Sequence, residues 1–127
     1  MNPVVAVSWG ELIDKVTILE IKAERLGSPE ARGKVQQELA SLAPAATCAL
    51  SHRGVTALKA KLKQINEMLW SIEDDIRQRE AQQLFDAEFV RLARAVYHNN
   101  DERGRLKQEI NRLLGSEITE EKQYTKY

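Results

Sequence analysis

Residues 54–84 read GVTALKAKLKQINEMLWSIEDDIRQREAQQL, and this run decides the fold. Leu58, Leu62, Ile65, Leu69, Ile72 and Ile76 recur at four-three-four-three-four spacing, the seam of a helix that packs along a partner. A second seam follows after a short break. Phe89, Leu92, Val96, Leu106, Ile110 and Leu113 share one phase, which predicts a helix over 87–114. Asn99 and Arg103 fall on seam positions in its middle, and Gly104 stands where a better helix former is expected. Because the phase survives this interruption, one continuous helix is the expectation. Two adjacent helices with a short connection make a long, coiled-coil-like antiparallel hairpin.

Upstream, Ser8 and Glu11 have the spacing of a capping box and open a helix over 8–26, with Gly27 as its stop. Leu12, Val16, Leu19, Ala23 and Leu26 mark one side of it, and Ile18 and Ile21 the other. A helix that is apolar on two sides is buried on two sides, so this one is expected to lie centrally or at a subunit contact. Ser28-Pro29-Glu30 restarts the chain as a helix over 29–43, ending before Pro44. Residues 44–53 read as a loop and 116–127 as a charged, tyrosine-bearing tail. The expected architecture is all-α: one antiparallel helical bundle built around the hairpin.

The chain has 127 residues, with 19 Lys plus Arg balanced by 19 Asp plus Glu. Zero net charge argues against a nucleic-acid binder or a polybasic membrane-surface protein, both of which carry a basic excess. No run approaches the roughly 20 apolar residues of a membrane span. Met1 to Gly10 holds no Lys or Arg and only a short apolar run, unlike a secretory signal. Cys48 is the single cysteine, so no intrachain disulfide can form, and a cytoplasmic location is expected.

The informative polar residues flank the seams. On the third helix Asn66, Trp70, Glu73, Arg77 and Glu80 form one stripe. On the fourth, Tyr97, Asn100, Lys107 and Asn111 do the same, with Arg94 and Asp101 one step further round. Glu20 lies inside the apolar arc of the first helix, where a carboxylate needs a partner. Such stripes commonly hold interhelical salt bridges that set register. They can also grip an anion: Arg77 and Arg94 would hold a phosphate or carboxylate, Trp70 and Tyr97 would stack, and Glu20 and Glu73 would orient the arginines.

Other chemistry is poorly supported. Cys48 and His52 lack a second ligand pair, so no metal site is expected, and no Gly-rich phosphate loop or other cofactor motif occurs. Helical pyrophosphohydrolases need acids one helical turn apart on facing helices; here Glu73-Asp74 is followed by Arg77. Ile13-Asp14, Ile18-Leu19 and Arg25 look like the opening of a helical chorismate mutase, but the Asp-to-Arg step is one residue too long. That slip turns the arginine by about 100° around the helix.

Four blocks carry a family resemblance. The first is Ser8, Gly10-Glu11-Leu12-Ile13-Asp14-Lys15, Thr17-Ile18-Leu19-Glu20 and Lys22. The second is Asn66, Leu69-Trp70, Ile72-Glu73-Asp74, Arg77 and Glu80. The third is Ala93-Arg94, Val96-Tyr97, Asn100-Asp101, Arg103, Lys107 and Ile110-Asn111, and the last is Ser116, Glu120-Glu121-Lys122, Tyr124 and Tyr127. In these the chain resembles DUF6165, a family of short bacterial proteins of unknown function. The resemblance implies companions of surface-polysaccharide glycosyltransferases and no defined activity.

The expected protein is a self-associating helical bundle that binds a partner protein or a small anionic ligand. Candidate ligand contacts are Glu20, Trp70, Glu73, Arg77, Arg94, Tyr97, Asn100, Asp101 and Lys107. Glu120, Glu121, Lys122, Tyr124 and Tyr127 are expected to fold over the site or to dock a partner. The alternatives are an enzyme acting on a phosphorylated or nucleotide-linked sugar, and a purely structural dimer.

Overall fold

Ser8 starts the first helix: its Oγ accepts a hydrogen bond from the Glu11 N–H at 3.1 Å. The Glu11 carboxylate turns away from Ser8 and accepts from Lys107 Nζ at 2.7 Å, so the cap also ties this end to the C-terminal part of the chain. The computed structural model covers residues 1–127 and places four helices in order: α1 (Trp9–Arg25), α2 (Pro29–Leu50), α3 (Val55–Ala81) and α4 (Ala87–Leu114). There are no strands. α3 and α4 form the most extensive pair, and α1 packs against all three of the others. The architecture is an all-α bundle with α1 at its centre, consistent with the two apolar sides of that helix.

The core draws on every helix. Ile13 of α1, Ala49 of α2, Leu62 of α3, and Leu106 and Ile110 of α4 form one buried cluster. A second joins Leu12 and Val16 of α1 to Ala46 of α2. Trp9 packs against both.

These contacts explain the largest departure from the sequence reading. The loop expected over 44–53 is mostly helix: α2 continues through Pro44 to Leu50. Pro44 removes one backbone donor, but Ala46 and Ala49 beyond it are the only buried residues of α2. Their small side chains let α2 lie close to α1, and the flanking alanines favour helix. Tertiary packing therefore overrides the proline. The actual connection is short and ends at Gly54, whose φ of 94° suits glycine.

α4 is continuous from Ala87 to Leu114. Its polar seam positions do not break it, because each has a partner: Asn99 donates to the Ala95 carbonyl at 2.8 Å, and Arg103 meets Asp14 of α1. Asp86 caps the helix N-terminus by accepting from the Phe89 N–H at 3.0 Å. Gly115 ends it with a φ of 64°. No helix is long and apolar enough to cross a membrane.

Close approach of α1 to α4 depends on Gly10. A Cβ there would lie 2.4 Å from the Lys107 carbonyl oxygen, a backbone atom that cannot move alone. Gly10→Ala is therefore expected to destabilise the fold by about 1–3 kcal/mol, the usual cost of overpacking, as read by urea denaturation.

Candidate functional site

Asp14 is 1% exposed and carries a carboxylate into the interior, where an unpaired charge is too costly to persist. It is fully engaged. Arg103 Nε donates to Oδ1 at 2.9 Å and Nη2 to Oδ2 at 2.5 Å, a bidentate pair. Asn66 Nδ2 donates to Asp14 Oδ1 and to Thr17 Oγ1, each at 2.9 Å. Thr17 in turn donates to the Asp14 carbonyl at 2.7 Å. The carboxylate hydrogen bonds, and the charge behind them, hold the Arg103 guanidinium above its ordinary value against the opposing effect of burial. This knot ties α1, α3 and α4 together on the inner wall of a cleft.

A second set of contacts clasps the start of α1 to the end of α4. The Gly10 N–H donates to Asn111 Oδ1 at 2.6 Å, and the Trp9 N–H to Ser116 Oγ at 2.9 Å. Buried Lys107 reaches Glu11 and Glu120, both at 2.7 Å. Burial opposes the Lys107 charge, but hydrogen bonds to the two glutamates outweigh it and raise the amine above its ordinary value. The same bond holds the Glu120 carboxyl below its ordinary value.

The tail continues along α4 from this clasp. Gln108 donates to the Glu120 carbonyl at 3.2 Å. Lys122 crosses Gly104, where a Cβ would lie 2.9 Å from its Nζ. A Cβ at Gly104 would displace only the flexible end of that side chain, so the crossing does not require a glycine. The Tyr127 hydroxyl donates to Asp101, and its ring packs edge-on against Tyr97 and His98.

The cleft itself has a volume of about 510 Å³ and lies between α1, α3 and α4. Ile18, Ile21, Leu69 and Trp70 give it apolar walls, while Asn66, Arg77, Asn100 and Arg103 supply polar groups. Glu73 and Asp74 also line it. Glu73 accepts from Arg77 Nε at 3.2 Å, and Asp74 from Gln78 at 3.0 Å. Arg25 lies 5.9 Å from the Trp70 ring centroid, so one face of the indole is covered by a cation.

Of the residues singled out in the sequence, Trp70, Glu73, Arg77 and Asn100 come together in this cleft. The others do not. Arg94 is exposed and lines a separate groove on α4, so it cannot share an anion with Arg77 in the cleft. Tyr97 and Asp101 receive Tyr127 of the tail rather than a shared pocket. Lys107 is occupied by its two glutamates.

Glu20 pairs with Lys59 at 3.2 Å and orients no arginine; its second oxygen is buried without a partner. In the tail, Glu120 and Lys122 are drawn against α4, whereas Glu121 meets only Thr119 and Tyr124 is exposed. The tail lines no part of the cleft.

The residues missing from the sequence-based site are Asp14, Thr17 and Arg103, with Asn66, which lies on the polar stripe but not among the candidate ligand contacts. A usable signal existed: an acid among buried positions of α1 and an arginine on the seam of α4 are two violations of apolar patterning, and each satisfies the other.

A model described as a family of unknown function, DUF6165, matches residues 3–127. The chain belongs to the DUF6165 family. No curated protein and no solved structure matches it. Asp14, Asn66, Arg103, Lys107, Asn111 and Glu120, all within the blocks on which the resemblance rests, lie in the knot and the clasp. Trp70, Glu73, Arg77 and Asn100 line the cleft beside them.

Arg103→Met leaves the Asp14 carboxylate buried without its counter-ion and should cost about 3–5 kcal/mol in denaturant unfolding. Adding Asp14→Leu should recover most of that loss, because removing both charges avoids an orphaned one. The tail contact should depend on pH at both extremes. Glu120 titrates below 4.5 in the fold, so its contribution is complete above 4.5 and disappears as pH falls through the lowered value. Lys107 titrates above 10.5, so its contribution is complete below 10.5 and disappears as pH rises through the raised value. Between these limits Glu120→Gln should release the tail from α4, seen as faster hydrogen exchange over residues 117–127.

Proposed function

We infer that the cleft between α1, α3 and α4 binds a small organic anion carrying a ring. One observation carries this reading: unused polar groups stand beside an apolar wall in the same cavity. Arg103 commits Nε and Nη2 to Asp14, which leaves Nη1 without a protein partner at the cleft. The Asn100 amide lines the same space and makes no side-chain hydrogen bond of its own, and Arg77 sits at the exposed rim. Asp14 fixes the Arg103 fork before any ligand arrives, so little rotamer entropy is lost on binding. Ile18, Leu69 and the free part of the Trp70 ring offer a surface for a sugar or base.

A phosphorylated or nucleotide-linked sugar has this chemistry, and it accords with the surface-polysaccharide setting that the family resemblance implies. The reading assigns the protein to the cytoplasm, where such activated sugars are made; the exposed single thiol of Cys48 suits a reducing compartment. Binding is favoured over turnover because the rim carboxylates Glu73 and Asp74 already hold Arg77 and Gln78. Neither is poised to move a proton on a bound substrate.

The chain has two tryptophans, and Trp9→Phe leaves Trp70 as a local reporter. Titration with a nucleotide-diphosphate sugar, a sugar 1-phosphate and inorganic phosphate should show saturable quenching by at least one sugar-bearing compound. At about 100 times its dissociation constant that compound should stabilise the unmodified protein by about 2.7 kcal/mol. Asn100→Leu should weaken binding about tenfold without lowering stability. Absence of both quenching and stabilisation across the panel would refute the reading.

A further inference from the structure

The far half of the helical hairpin is open on the face opposite the cleft. Between Glu67 and Glu102 only one residue, Leu92, is buried. Ile72, Ile76, Phe89 and Val96, which form the seam there, are only half covered. On this face α1 contributes Arg25, which meets Glu67 and lines the near end of the groove. The seam is therefore shielded by two helices alone, where a bundle core takes cover from three or four.

The open face has a definite make-up. Met68, Ser71, Ile72 and Asp75 of α3 form one wall of a groove of about 420 Å³ whose other wall is Arg91 and Ala95 of α4. A second groove of about 440 Å³ runs along α4 past Val90, Arg91 and Arg94. Met68 is 51% exposed. On the α3 side Glu67 is paired with Arg25, leaving Asp75; on the α4 side both oxygens of Glu88 hold Arg91, leaving Arg94. The other ion pairs of the hairpin leave Asp75 and Arg94 without a partner in their own chain.

We propose that this face is the contact surface for a second copy of the same chain, giving a two-fold dimer in which two hairpins form a four-helix bundle. The charges select the geometry. A two-fold axis parallel to the helices sets α3 of one copy over α4 of the other, antiparallel and at matching height. Asp75 then faces Arg94 of the second copy, twice over, while Met68 and Ile72 enter the shared core. An axis across the helices would set α3 on α3 and acid on acid, which disfavours it. The cleft lies on the other face of the hairpin, so dimerisation and ligand binding are separate properties and can fail separately.

Sedimentation equilibrium of the full chain over the micromolar range tests the proposal. The wild type should reach twice 14.4 kDa. Asp75→Arg alone and Arg94→Asp alone should each raise the dimer dissociation constant about tenfold or more, since each places like charges together. The double variant Asp75→Arg/Arg94→Asp should return the constant to near the wild-type value. Both side chains are at the surface, and unchanged helical circular dichroism will show that each variant folds. A wild type that stays at 14.4 kDa would overturn the proposal and leave the face to a different protein. A dimer indifferent to both single charge reversals would overturn it too, by placing the contact elsewhere.

Discussion

A single buried carboxylate sets the terms for this protein. Asp14 can be inside only because Arg103 and Asn66 are placed to receive it, and those three residues come from three helices. Their geometry is demanding in a way that apolar contact is not: a guanidinium fork tolerates little rotation before one of its two bonds is lost. The apolar clusters around Ile13 and Leu12 and the Gly10 contact set which side of α1 faces inward; the Asp14 knot narrows its rotation further. The helical register, the path of α4 and the shape of the cleft all follow from that choice. The continuity of α4 is part of the same arrangement, because the arginine that interrupts its apolar seam is the one that α1 requires.

Much of the fold was legible because helical periodicity is a local property. The seams from Leu58 to Ile76 and from Phe89 to Leu113 located the two long helices, and the two apolar sides of α1 placed it centrally. Pro44 was misleading because its cost is local and its compensation is not. The buried contacts of Ala46 and Ala49 with α1 lie in another part of the sequence, and no window around the proline contains them. Gly104 presented the same difficulty. Its neighbour is the side chain of Lys122, brought back by the tail from outside any local window.

The candidate site was legible in part. The flanking stripe on α3 identified Trp70, Glu73 and Arg77, which share a helix face and so remain together in space. Assigning partners across helices was harder, since residues on one stripe of α4 serve different neighbours. Asn100 faces the cleft, Asp101 receives Tyr127, and Lys107 belongs to the clasp. Arg94 points to the outer groove. A turn of about 100° per residue separates these roles, and spacing along one helix does not say which neighbour each direction meets. The polar stripes thus divide between holding the bundle and lining its cavity.

The order of contacts between the tail and α4 has a mechanical consequence. The tail runs back along α4 with Tyr127 at Asp101, Lys122 at Gly104 and Glu120 at Lys107, while the start of α1 is fastened beside it at Asn111 and Ser116. Tension applied to the C-terminus therefore loads these attachments in sequence, beginning with the tyrosine, as a strip peels from a surface. The Gly10–Asn111 fastening comes under load only after the strip is gone. Force from the C-terminal end is absorbed in small steps at the surface, and the buried carboxylate knot is the last element to feel it.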